Sequence, residues 1–150
     1  MNEIDASLGP REGFSRVVPA EWRQAFLSGR KAFCFDDLAG AQPIFDKLER
    51  ALPGNIEIRL YAAWTRARLG GALSADHLAR IVALAREALG LGGALALPLC
   101  ILAHAALRRH EYSVARRLFR RAADADPALI DARRGVRLLT QLLESRSARR

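Results

Sequence analysis

Helix-stopping clusters punctuate the chain at nearly regular intervals, and this spacing constrains the fold more than any single motif. Leu52-Pro53-Gly54-Asn55, Gly90-Leu91-Gly92-Gly93 and Asp126-Pro127 each close a pair of segments with helical apolar periodicity. Gly93 and Pro127 are 34 residues apart, and Pro53 and Gly93 are 40 apart. A period in this range marks units that cannot cover their own apolar faces and must stack on neighbours. In the first cycle Trp22, Ala25, Phe26, Gly29, Ala32 and Phe33 fall at helical spacing. Asp36-Asp37 can cap a second helix carrying Leu38, Ala41, Ile44, Phe45 and Leu48. The longer middle cycle predicts six additional residues, 71–76, in its turn. Pro43 interrupts the second helix of the first cycle, which predicts either a late start near Gly40 or a kink.

The 34-residue spacing, together with the residues between the breakers, resembles the tetratricopeptide repeat (TPR) family, in particular small TPR proteins of the bacterial type. That family places small residues at three points in each unit, an aromatic residue in the second helix and a closing proline. Ala103, Ala115, Ala122, Phe119 and Pro127 match these places in the third unit, with Tyr112 at a further aromatic place. Gly29, Ala41, Phe45 and Pro53 match in the first unit, where Leu48 replaces the usual alanine. In the second unit Ala63 and Ala88 match, while Ile81, Ala85 and Gly93 depart from the pattern. The resemblance implies an all-α fold: a TPR-like right-handed α-solenoid of three helix-turn-helix units, about 22–53, 56–93 and 96–127, closed by a C-terminal capping helix over 129–145. Residues 19–145 would form this domain, with a flexible N-terminal arm over 1–18 and a basic tail over 146–150.

Composition supports a helical, globular chain. Hydrophobic residues make up 51% of the 150, and Ala and Leu dominate them, which favours helix over strand. Net charge is +8 but uneven. Residues 1–50 carry 7 basic and 8 acidic side chains, residues 51–100 carry 5 and 3, and residues 101–150 carry 12 and 5. A field of this kind attracts acidic proteins, nucleic acid or anionic lipid without choosing among them. Cys34 and Cys100 are far apart and form no CxxC, so they read as buried cytosolic thiols rather than a disulfide framework. The first residues lack the apolar core of a signal peptide, and no run is long and apolar enough to insert into a membrane. A cytoplasmic location is therefore expected.

No catalytic constellation stands out, and the chain is not expected to be an enzyme or to need a cofactor. His104 and His110 are six apart and fall on opposite faces of a continuous helix, so no metal site is expected. Gly90-Leu91-Gly92-Gly93 follows a helix and lacks a GK[ST] ending, which makes it a helix stop rather than a phosphate loop.

Partner binding in the TPR family uses the concave face built by the first helices. The resemblance places Arg23, Phe26, Arg30, Phe33, Trp64, Arg68, Cys100, His104 and Arg108 there, an apolar and aromatic groove with an arginine edge. Such a groove suits a peptide with apolar anchors and acidic residues. The expected function is that of an adaptor or scaffold holding another polypeptide. Chaperone-tail-binding members use basic and amide side chains where this chain has Phe26, Arg30, Tyr61, Leu97 and Ile101, so a carboxylate clamp is not expected. A secretion-type chaperone is the alternative within the family. Arg116, Arg117, Arg120 and Arg121 lie on one side of an amphipathic helix, opposite Val114, Ala115, Leu118, Phe119 and Ala122. They read as a solvated outer face and at most a secondary basic surface. Nucleic-acid binding through them is the reading from another class, disfavoured because no aromatic residue interleaves them.

Overall fold

Short polar side chains set where three of the helices begin. Asp37 accepts a hydrogen bond from the Gly40 amide at 3.0 Å, Asn55 from the Ile58 amide at 3.0 Å, and Ser74 from the His77 amide at 3.1 Å. The computed structural model describes residues 18–91 and 95–149. Among these lie seven helices and no strand: α1 Ala20–Cys34, α2 Leu38–Ala51, α3 Ile56–Leu69, α4 Ala75–Gly90, α5 Ala96–Arg108, α6 Tyr112–Ala125 and α7 Ile130–Ala148. Each helix packs chiefly on the one before and the one after it in sequence, and α3 also touches α5.

The turn between α1 and α2 and the turn between α5 and α6 are built alike. Asp36 and His110 both adopt a left-handed backbone, with φ of 66° and 61°. The amides of Asp37 and Glu111 each reach back five residues, to the carbonyls of Ala32 and Ala106. These are Schellman-type helix ends. The turn between α3 and α4 also has a left-handed residue, Gly71 at φ 82°. It runs over Gly70–Ser74, and Ala75 and Asp76 are already helical. The six residues expected as a turn insertion are therefore divided: part lengthens the turn, and part extends α4 to 16 residues against 14 in α2 and α6.

Other expectations need correction. α2 begins at Leu38 and runs through Pro43, so it does not start late. Pro43 is the sixth residue of α2, beyond its first turn, so the Ala39 carbonyl loses its helical amide partner while the helix continues to Ala51. The expected basic tail from residue 146 is helical as far as Ala148, and Arg146 stacks over the Tyr112 ring at 5.1 Å. Most of the N-terminal arm lies outside the described residues, but Val18, assigned to it, is core at 1% exposure.

Aromatic and small residues alternate through the core. Phe45 stacks on Tyr61 at 4.8 Å and 9°, while Phe26 and Phe33 meet Tyr61 edge-on at 6.0 and 5.1 Å, joining α1 and α2 to α3. Ala115 and Ala122 of α6 are fully buried. Where α6 meets α7, the Phe119 ring lies against Gly135 so closely that a Cβ there would sit 2.6 Å from Cγ and Cδ2 of the ring.

Two substitutions test this packing. Gly135→Ala should destabilise the chain by about 1–3 kcal/mol through overpacking, despite a helix-propensity gain of about 1 kcal/mol. Ala115→Leu should cost a similar amount. Urea unfolding followed by circular dichroism measures both, and an unchanged midpoint in both variants would contradict the close approach of these helices.

Candidate functional site

Four of the nine side chains expected to line an open concave groove are core. Phe26, Phe33, Trp64 and Cys100 are exposed by 0%, 4%, 3% and 1%. The aromatic residues hold neighbouring helices together rather than offering contacts to a partner. Trp64 packs on the His104 ring at 5.3 Å, and His104 meets Phe119 edge-on at 5.0 Å. Arg23 and Arg108 are exposed, whereas Arg30, Arg68 and His104 are partly buried.

The partly buried members face carboxylates supplied by the chain itself. Asp126, at the corner between α6 and α7, binds Arg30 of α1 at 3.2 Å and accepts from the Cys34 thiol at 3.6 Å. Asp131, in the first turn of α7, gathers three groups on its Oδ2: Arg68 Nη1 at 3.3 Å, His104 Nε2 at 2.7 Å and Cys100 Sγ at 3.2 Å. Asp36 continues the chain of charges, 3.8 Å from Arg68 and 2.7 Å from Arg134. The corner at 126–131 thus occupies the arginines that an acidic partner would otherwise meet.

These surroundings shift the acidity of the groups. Burial works against ionisation of Asp131, but the His104 hydrogen bond and charge, with Arg68 and Cys100, outweigh it and hold the carboxyl at about 2. Burial pushes the Cys34 thiol up to about 12, with the Asp126 charge adding to it. Burial likewise raises Cys100, again reinforced by its carboxylate neighbour. Neither thiol is therefore poised as a nucleophile.

Beside Arg30 and Asp126 is a cavity of about 30 Å³, which Glu57, Tyr61 and Leu97 also line. It is far below the hundreds of Å³ that small-molecule sites occupy. Glu57 Oε2 is buried here without a hydrogen-bond partner among the described residues. Burial raises the Glu57 carboxyl to about 7, against the opposing pull of Arg30.

A larger opening lies elsewhere. Leu78, Ala79, Val82 and Ala83 of α4 and Ala105 of α5 line a groove of about 570 Å³ together with Arg86, Arg108 and Arg109, and no acidic residue among the described residues lines it. Arg108 is braced by a 2.6 Å hydrogen bond to the Leu73 carbonyl. Of the arginines on α6, Arg117, Arg120 and Arg121 are exposed and Arg116 is partly buried, and none forms an ion pair with the described residues.

The cluster of Cys100, His104 and Asp131 went unread in the sequence. Cys100 and His104 are four residues apart and so share a helix face, a signal present in the sequence. Their meeting with Asp131 depends on the path of the chain into α7, which no local pattern reveals. No helix among the described residues is long and apolar enough to cross a membrane. Compared with known protein families, curated proteins and solved structures, the chain has no significant match.

Glu57 gives a pH test. Its folded value lies above its ordinary value of 4.5, so folding favours the protonated form. The contribution is fully present below 4.5 and is lost as pH rises through about 7. Glu57→Gln should be more stable than the parent at pH 8, by on the order of 1–3 kcal/mol, and should match it near pH 4. Parallel thermal melts at the two pH values measure this; an equal difference at both would contradict the burial of this carboxyl.

Proposed function

We propose that the chain is a non-enzymatic scaffold, a TPR-like stack of three helical hairpins and a capping helix, that holds an acidic, amphipathic segment of another protein. The equivalent Schellman turns at Asp36 and His110, 74 residues apart, support the repeat, as does packing of each helix on its sequence neighbours.

The observation that carries the binding site is the α4–α5 groove. Its floor of Leu78, Ala79, Val82 and Ala83 takes apolar side chains, and Arg86 and Arg108 complement carboxylates at its edge, Arg109 being paired with the chain's own Glu111 at 2.6 Å. This moves the docking surface away from the concave row, where Arg30 and Arg68 already bind the chain's own Asp126 and Asp131. The unpaired arginines of α6 make the solvated face of an amphipathic helix.

Ala79→Glu combined with Ala83→Glu places like charges against an acidic partner while keeping good helix formers in α4. Recovery of partner proteins in a pull-down should fall roughly tenfold or more, the equivalent of about 1.4 kcal/mol. Changing Arg116, Arg117, Arg120 and Arg121 to Gln should leave recovery unchanged. Equal recovery by the Ala79/Ala83 variant and the parent would sink the groove assignment. Binding to RNA or DNA at physiological salt that disappears in the four-arginine variant would replace it with the nucleic-acid reading.

A further inference from the structure

Cys100, His104 and Asp131 bring a sulfur, an imidazole nitrogen and a carboxylate oxygen within 4.8 Å of one another. We infer that these three side chains form a binding site for a zinc-class divalent transition metal that ties α5 to α7. This site is separate from the α4–α5 groove and does not depend on it.

The ligand set is the kind zinc accepts, with thiolate, imidazole and carboxylate donors and a fourth position left for solvent or another ligand. Cys100 and His104 are one helical turn apart on α5, so a rigid backbone presents them together. Asp131 approaches from the first turn of α7. In a tetrahedral zinc site with the usual bond lengths, the ligand atoms stand about 3.4–3.6 Å apart. Here Asp131 Oδ2 is 2.7 Å from His104 Nε2 and 3.2 Å from Cys100 Sγ. Small outward movements therefore make room for an ion.

The surroundings hold the ligands in place. Trp64 and Phe119 lie against the His104 ring at 5.3 and 5.0 Å, fixing its plane while Nε2 faces Asp131. The side chains of His104 and Asp131 keep 26% and 15% of their exposure, which leaves an entry path, whereas Cys100 is buried behind them. A divalent ion, the Cys100 thiolate and the Asp131 carboxylate sum to zero, and Arg68 keeps a contact at 3.8 Å to Asp36, which it shares with Arg134 at 2.7 Å. On binding, the Cys100 S–H bond breaks, the sulfur lone pair goes to the metal, and the proton leaves to solvent. No electron is transferred.

The test uses tag-free full-length chain, treated with chelator and kept reduced, titrated with Co²⁺ as a spectroscopic probe. One equivalent should bind with a thiolate-to-cobalt charge-transfer band, and Zn²⁺ should displace it. Cys100→Ser should abolish the band. His104→Gln and Asp131→Asn should weaken Co²⁺ affinity roughly tenfold or more. Cys34→Ser should leave the band intact. A second readout covers the case in which Cys100→Ser does not fold: Zn²⁺ should raise the melting temperature of the parent but not of His104→Gln. Absence of a thiolate band in the parent, or its loss with Cys34→Ser and survival with Cys100→Ser, would overturn the site. So would an equal melting response to Zn²⁺ in the parent and His104→Gln.

Discussion

A single carboxylate oxygen ties α3, α5 and α7 together. Asp131 Oδ2 receives Arg68 from α3 and both His104 and Cys100 from α5, while its own backbone opens α7. Each group alone would resist burial, the arginine and carboxylate because they are charged and the imidazole because it is polar. Together they satisfy one another, and the helix N-terminus adds a favourable field for the negative charge. With Asp131 in place, α7 lies over α6 and brings Gly135 under the Phe119 ring. The aromatic chain from Trp64 through His104 to Phe119 then has its polar centre held from one end.

Much of the helical order was legible because it is local. Pro53, Gly90 and Pro127 mark real ends, and Asp37 caps α2 by a contact spanning three residues. The small residues Gly29, Ala41, Ala115 and Ala122 are all buried, as helices in close contact require. Pro43 misled only about where α2 begins, because Asp37 caps the helix from six residues upstream and the chain stays helical through the proline.

The candidate site was read less well, for a physical reason. A groove carried over from a family resemblance assumes that its face remains open. Whether Phe26 and Trp64 meet solvent or core depends on how far successive hairpins rotate and on where the chain goes after the third. Asp126 reads locally as a helix stop and Asp131 as a first-turn acid, yet each finds a basic partner far away in sequence, at Arg30 and Arg68. The Cys100–His104 spacing was visible, but only a third ligand from α7 gives it chemical meaning. The apolar α4–α5 groove arises from what neighbouring helices leave uncovered, and no single segment encodes that.

A row of hairpins that touch only their neighbours would open from its ends, because the terminal units have one partner instead of two. Here Arg30 meets Asp126 and Asp36 meets Arg134, contacts that span 96 and 98 residues. They join α1 and the turn after it to the corner before α7 and to the first turns of α7. Such contacts form late, since their loop closes only after the intervening hairpins have stacked. The two ion pairs are partly exposed and worth on the order of 1 kcal/mol or less each, so they lend the row a modest coupling between its ends that neighbour contacts alone would not give.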